Sequence, residues 1–226
     1  MNRFIALILS LFTLTTLSAQ QKEYLAPFHV LDVDAPVKLV LVKIQEHEAP
    51  YIIFDTKGVE NSKFTFEVKD KKLKVSERYD PNRKSITEVT IGFTSLSDIS
   101  IARADTTVDG ILTSKLLDVD ISHNAHFTAE VDVLDIQVYA SGKSRVELEG
   151  KTQYHTAEVS SAHYNAHRLK SISTVVEASH NGISRVNAEE RLELKTITGG
   201  KIYYYTQPVI FRSEVTTFGG EIELAK

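Results

Sequence analysis

The sequence predicts an all-β protein, a right-handed parallel β-helix-like solenoid with rungs of about 18–20 residues, and three observations carry that prediction. A small polar turn followed by an apolar residue recurs six times, beginning at Ser122, Ser141, Ser161, Ser179, Thr198 and Phe218. So regular a period marks a stacked repeat, each unit coiling once against the next. Between the turns apolar and polar residues alternate, as in Leu117-Asp-Val-Asp-Ile121, Leu134-Asp-Ile-Gln-Val138 and Leu192-Glu-Leu-Lys-Thr196, which is the pattern of strands with one buried side. No stretch after the first twenty residues shows a capped apolar stripe at helical spacing. A sandwich of antiparallel strands would also suit short strands with frequent turns, but it gives no reason to repeat one turn at one period.

Taken in order, the chain opens with a targeting segment. Asn2 and Arg3 precede an apolar run, Phe4 to Phe12, then Thr-Leu-Thr-Thr-Leu-Ser and the small residue Ala19 at the cleavage position. This order describes a signal peptide over residues 1–19, with the mature chain starting near Gln20 or Gln21. The run is shorter than the ~20 residues a membrane-crossing helix needs. Residues 20–226 form a single solenoid domain, less regular over 28–100 and regular from 101 to 224. Gln21 to Ala26 reads as a polar leader that frays. Alternation starts at Phe28 and continues through Val37, Leu39 and Leu41; Tyr51–Phe54 is a short strand, and Phe64–Val68 with Leu73–Ser76 is a hairpin-like pair. Glu77 to Lys84 is the most loop-like stretch, and Ile86–Ile91 resumes the strands. Ala102 to Val108 sits one period before Ser122 and reads as a degenerate rung. At the corners small residues fit the limited space, and Gly142, Gly182, Gly199 and Gly219 permit positive φ.

Composition sets the outer limits. With 226 residues, 42% hydrophobic, 25% charged and a formal net charge of −4, the chain has ordinary globular content. It offers no basic run to follow a nucleic-acid backbone. Cysteine is absent, so stability rests on packing and backbone ladders.

Several motifs carry a family resemblance. They are Phe28-x-Val-x-x-Val leading to Val37-Lys-Leu, the pair Val68-Lys-Asp-Lys-Lys-Leu-Lys-Val75, the segment Thr90-Ile-x-x-Thr94-x-Leu96-x-x-Ile99, and the serial turns. Over residues 28–224 the chain resembles the putative adhesin, head GIN domain family of exported Bacteroidetes proteins. The resemblance implies a β-helical solenoid in the periplasm or at the cell surface and an adhesin role, and it brings no catalytic residues. The chain departs from the family's Ser-Gly-Ala-Gly turn, carrying Ser-His-Asn at 122–124 and 179–181 and Ser-Ala-His at 161–163.

Those departures make His123, His163 and His180 candidate ligand-facing residues, together with Tyr203 and Tyr205, which alternation puts on one face of a late rung with Tyr204 on the other. The histidines hold different places in their turns, and His123 and His180 stand about three rungs, or ~15 Å, apart, so no metal site is expected. The acids Asp118, Asp120, Asp132 and Asp135 lie close in sequence, with Arg145 a rung later, and are candidates for the paired carboxylates of a glycan-cleaving enzyme, but alternation sends Asp118 and Asp120 outward into solvent. No catalytic residue and no cofactor is therefore assigned. The expected role is a non-enzymatic, adhesin-like binding module of the cell envelope whose partners are glycans or envelope proteins. The alternatives are a carbohydrate-active enzyme and a structural protein that self-assembles through the exposed end of the solenoid, since the last rung near Glu221–Leu224 lacks a cap.

Overall fold

The computed structural model describes residues 21–57, 63–78, 81, 85–216 and 218–225. The signal-peptide segment and much of the loop between Glu77 and Lys84 lie outside the described residues. Those described form seventeen strands in one coiled sheet. In chain order they are β1 (Gln21–Tyr24), β2 (Val30–Asp34), β3 (Val37–Lys43), β4 (Tyr51–Asp55), β5 (Phe64–Lys69), β6 (Lys72–Glu77), β7 (Thr87–Phe93) and β8 (Asp98–Ala102). Then follow β9 (Asp105–Ser122), β10 (His126–Ser141), β11 (Arg145–Ser160), β12 (His163–Ser179), β13 (Ile183–Val186), β14 (Arg191–Thr196), β15 (Gly200–Tyr204), β16 (Ile210–Val215) and β17 (Gly220–Leu224). No helix occurs among the described residues, and the chain is a parallel β-solenoid of about seven turns.

Each full coil has three faces. The first stacks β8, the C-terminal parts of β9, β10, β11 and β12, then β14 and β16, all parallel. The second stacks the N-terminal parts of β9 to β12, then β13, β15 and β17. The middles of β9 to β12 make the third. The corner between the first and second faces is the repeated turn, and the turns do stand in a column: Asn124 N–H donates to Gly142 O, Lys143 to Ser161 O, Ser161 to Ser179 O, Asn181 to Thr198 O and Gly199 to Gly219 O. Each turn is tightened by left-handed backbone, at His123 and Asn124, Gly142 and Lys143, Ser161, His180 and Asn181, Thr198 and Gly199, and Gly219. Gly182 differs from the expected role. A Cβ there would lie 2.4 Å from Val159 O, so it serves close approach of the rung before it.

The other two corners are bends inside continuous strands of 16 to 18 residues, where short strands joined by tight turns were expected. At one bend the register slips between Thr128 and Glu130 and between Glu147 and Glu149, and Gly110 and Gly150 take φ of 103° and 109°. At the other, two neighbouring residues leave the core together, as at Leu134–Asp135 and Gln153–Tyr154. A paired outward step changes which parity of residue faces inward, so the strand turns its corner without breaking the ladder.

Inward rows fill the coil. One row on the first face runs Ile99, Val119, Val138, Ala157, Val176, Leu194; one on the second runs Phe127, Val146, Tyr164, Ser184, Ile202, all buried. Large Tyr164 beside small Ser184 shows the volume balance that dense packing requires. Each fully buried Leu, Ile or Phe stabilises the coil by about 1.5–3 kcal/mol.

The N-terminal region closes one end by an unexpected route. The first rung, β2 with β3, lies between later segments: β2 pairs with both β6 and β8, and β3 with both β7 and β9. Beyond β6 and β7 the strands run antiparallel, β5 on β6 as the sequence predicted and β4 on β7, and the rings of Phe54, Phe64 and Phe66 pack together there with centroids 5.0 to 6.1 Å apart. The leader does not fray. Its residues 21–24 form β1, antiparallel to β4, held by the Lys22 ammonium 4.2 Å from the Tyr51 ring centroid and by Leu25 N–H donating to Pro50 O.

Candidate functional site

The ligand-facing candidates separate into three places. His123 and His180 both sit in the turn column, exposed, at φ of 54° and 48°. His123 Nδ1 lies 3.0 Å from Ser122 Oγ, and His180 Nδ1 lies 3.2 Å from both Ser160 Oγ and Ser179 Oγ. These local hydrogen bonds occupy one ring nitrogen of each. His163 leaves the column: it is the first residue of β12, facing outward on the second face between Arg145 and Ile183. The acids scatter likewise. Asp118 and Asp120 face outward on the first face, Asp132 pairs with Lys151 at 3.1 Å on the third, and Arg145 stands on the second beside His126. Among the described residues no group of three or more His, Asp or Glu is placed to hold a metal.

Tyr203 and Tyr205 converge with other groups. Alternation along β15 keeps Tyr204 against the core, its ring 5.0 Å from Phe211, and turns Tyr203 outward. Parallel register then sets Asn165, Arg185 and Tyr203 side by side on three successive rungs, with the Arg185 guanidinium carbon 5.5 Å from the Tyr203 ring centroid. Tyr205 follows β15, fixed by its N–H to Val186 O, and its ring lies 5.1 Å from that of His167. His167 Nδ1 is 2.6 Å from Asn165 Oδ1. All five side chains are half-buried: their positions are fixed by neighbours while an edge or face of each stays wet. The result is a small platform of two phenol rings, an imidazole, a guanidinium and an amide. Such a surface can stack on apolar faces and exchange hydrogen bonds with hydroxyls. Charged residues border it: Lys201, on the same strand as Tyr203, holds Glu221 of the next rung at 2.5 Å and draws its carboxyl below the usual range.

A second polar group went unnoticed in the sequence. His155 is 2% exposed, and burial lowers its pKa to about 4. Tyr164 is buried beside it and its hydroxyl is pushed up by burial; it lies 2.7 Å from His155 Nε2. With that hydroxyl donating to Nε2, Nδ1–H donates to Thr174 Oγ1 at 3.3 Å, and Thr174 donates to Asn187 O at 2.9 Å. Ser171 Oγ reaches the same carbonyl. The signal was available: in one inward row the rungs read Leu117, Ile136, His155, Thr174, Leu192. The chain of donors ends on a backbone carbonyl and His155 and Tyr164 are both buried, which makes this network part of the core. The grooves themselves are shallow. One of about 520 Å³ crosses the bend near Gly150, where Glu149 and Arg168 pair at 3.1 Å.

Parallel strands coiled into three flat faces, with outward side chains in ladders, define the class of protein: a β-solenoid. The chain belongs to the family described as "Putative auto-transporter adhesin, head GIN domain", which matches residues 27–208. Solved structures of similar fold include a putative adhesin from Bacteroides fragilis, at 18% identity over 90% of this chain and 95% of that one with a TM-score of 0.79. Another is a putative adhesin from Parabacteroides merdae, at 12% identity over 91% and 95% with a TM-score of 0.68. A third is a putative lipid binding protein from Parabacteroides distasonis, at 13% identity over 91% and 96% with a TM-score of 0.62. No curated protein matches the sequence. Among the described residues no helix is long and apolar enough to cross a membrane.

Proposed function

We propose that the protein is an exported, non-enzymatic binding module of the cell envelope that holds glycans against the platform of Asn165, His167, Arg185, Tyr203 and Tyr205. The observation that carries this reading is the register of three rungs that sets Asn165, Arg185 and Tyr203 in one row, with Tyr205 spanning back to His167. Rigid rings give stacking area at low entropic cost, and the amide and guanidinium supply directional donors for sugar hydroxyls or carboxylates. Membership of an adhesin family favours binding over turnover, and the signal-peptide pattern of residues 1–19 favours export. The histidines at 123, 163 and 180 lie off this platform and are not part of the proposed contact.

The test is a glycan panel probed with the purified protein and with Tyr203→Ala and Tyr205→Ala. Binding by the wild type that falls at least tenfold in either variant supports the reading. Retention by both variants, or capture of no glycan, overturns it. Release of reducing ends during incubation would instead favour the enzyme. Expression with the leader in a bacterial host should give an N-terminus at Gln20 or Gln21.

One observation favours a second reading. Leu116, Leu134, Tyr154 and Ile172 are exposed large apolar residues on the bend between the third and first faces, one on each of four successive rungs. That ridge suits lipid or another apolar partner, and the structural neighbour from Parabacteroides distasonis is described as a putative lipid binding protein. Co-sedimentation with lipid vesicles that is lost in Leu116→Ser and Leu134→Ser variants would move the contact from the platform to the ridge.

A further inference from the structure

The two ends of the solenoid are finished differently. At the N-terminal end β4, β5 and β1 run across the last parallel rung, and Phe54 and Phe64 are buried beneath them. At the other end β16 pairs with β14 and β17 with β15, and no further strand pairs with either among the described residues. The inward row there is open, with Val215 54%, Leu224 50% and the neighbouring Phe218 80% exposed. Phe211 and Ile222 are only partly covered.

Hydrogen-bond parity fixes how the β16 edge can be used. Ile210 N–H donates to Glu190 O and Thr216 N–H to Thr196 O, so the even-numbered residues of β16 spend their backbone groups on the body of the protein. By alternation the N–H and C=O of Phe211, Ser213 and Val215 point to the free edge. An incoming antiparallel strand must therefore face these three residues with residues that also point outward. When the incoming strand is a second copy of β16, the register centred on Ser213 opposite Ser213 satisfies this rule. Phe211 then meets Val215 of the other copy in hydrogen-bonded pairs, twice by symmetry, and the pair extends the inward row over the open core. The outward residues in the same register set Arg212 against Glu214 of the other copy, also twice, at the closer non-hydrogen-bonded positions. Centring one residue either way makes Arg212 face Arg212 or Glu214 face Glu214. The β17 edge lacks this complementarity. Its Ala225 N–H donates to Tyr204 O, so Gly220, Ile222 and Leu224 face that edge, and centring a second copy on Glu221, Ile222 or Glu223 sets glutamate against glutamate each time. Glu221 already raises the Glu223 carboxyl within one chain.

We infer that the protein forms a two-fold symmetric dimer through antiparallel pairing of β16 with β16 of a second copy, end to end along the solenoid. The edge is self-complementary in backbone parity, in apolar pairing and in charge, as a two-fold interface requires. Dimerisation would place two tyrosine platforms on one extended particle. It rests on the edge alone and stands whether or not the platform binds glycan.

Sedimentation over a wide range of protein concentration, without ligand, tests the inference. The wild type is expected to reach the mass of a dimer. Ser213→Pro removes an N–H that points to the free edge while leaving the bonds to β14 in place, and should be monomeric with unchanged circular dichroism. Arg212→Glu and Glu214→Arg should each be monomeric, since each brings like charges face to face, and mixing the two should restore a dimer containing one of each. That restoration reads pairing independently of any loss of folding in a single variant. A wild type that is monomeric throughout, including one that captures a different envelope protein at this edge, overturns the inference. So does a dimer that persists in Ser213→Pro or in the separate charge variants.

Discussion

His155 is the buried group whose protonation most directly opposes the fold, and acidification is the perturbation that exposes it. In the folded protein its pKa is about 4 because burial penalises the charged ring; in the unfolded chain it returns to about 6.5. Above about pH 6.5 the imidazole is neutral in both states and its network contributes in full. As pH falls from about 6.5 to about 4 the unfolded chain takes up a proton that the folded one refuses, so stability is lost across that window. At 1.36 kcal/mol per pKa unit the loss is on the order of 3 kcal/mol. The geometry explains the resistance: a second N–H on the ring would point at the Tyr164 hydroxyl, 2.7 Å away, which itself donates to that nitrogen. The assay is urea unfolding at about pH 7.5 and about pH 4.5 for the wild type and for the double variant His155→Leu with Tyr164→Phe. Leucine suits the row, which already holds Leu117, Ile136 and Leu192, and the double change leaves no buried hydroxyl without its partner. The other histidines and the carboxylates remain in both proteins and cancel in the difference. The wild type should lose about 2–3 kcal/mol more than the variant between the two conditions. Equal losses in the two proteins would refute the assignment of that acid sensitivity to His155.

Three further substitutions test the frame around it. Gly150→Ala places a Cβ 2.1 Å from Val131 O at a φ of 109° and should cost about 2–4 kcal/mol in denaturant unfolding, whereas Gly219→Ala, with φ of 80° but open space around it, should cost only about 1 kcal/mol. Thr174→Val removes the acceptor of the His155 Nδ1–H and one donor to Asn187 O, and should destabilise by about 1–3 kcal/mol with little change in the circular dichroism of the folded protein.

The repeated turns were legible because their chemistry is local: left-handed positions at His123, Gly142, Ser161 and His180 restrict which residues can stand there, and the restriction recurs at one spacing. The bends were hidden because nothing breaks. Leu134–Asp135 and Gln153–Tyr154 simply step outward twice, and the slip near Glu130 keeps the alternation on both sides. The ordering of β1 was missed for another reason. A short polar strand is held by what it meets, Tyr51 and Pro50, and sequence alone does not bring those together. The placing of β2 and β3 between later rungs depends on which edges meet, a matter that neither period nor composition records. Of the site, the alternation of Tyr203, Tyr204 and Tyr205 was readable, while Asn165, His167 and Arg185 became neighbours only through parallel register. His163 shows the same limit from the other side, since one residue's difference in its turn moves it from the corner to a face.

The slot occupied by β2 and β3 also constrains the order of events when the chain folds. Their residues leave the ribosome, and under the proposed export cross the membrane, before either wall of the slot exists: β6 and β7 lie some tens of residues further on, and β8 and β9 further still. The first rung cannot serve as a template for winding the coil from its N-terminus. Contacts of high sequence separation are slow to form, so the regular turns from Asp98 onward are the part able to coil upon themselves first, with the N-terminal rung entering afterwards as the piece that locks the finished end.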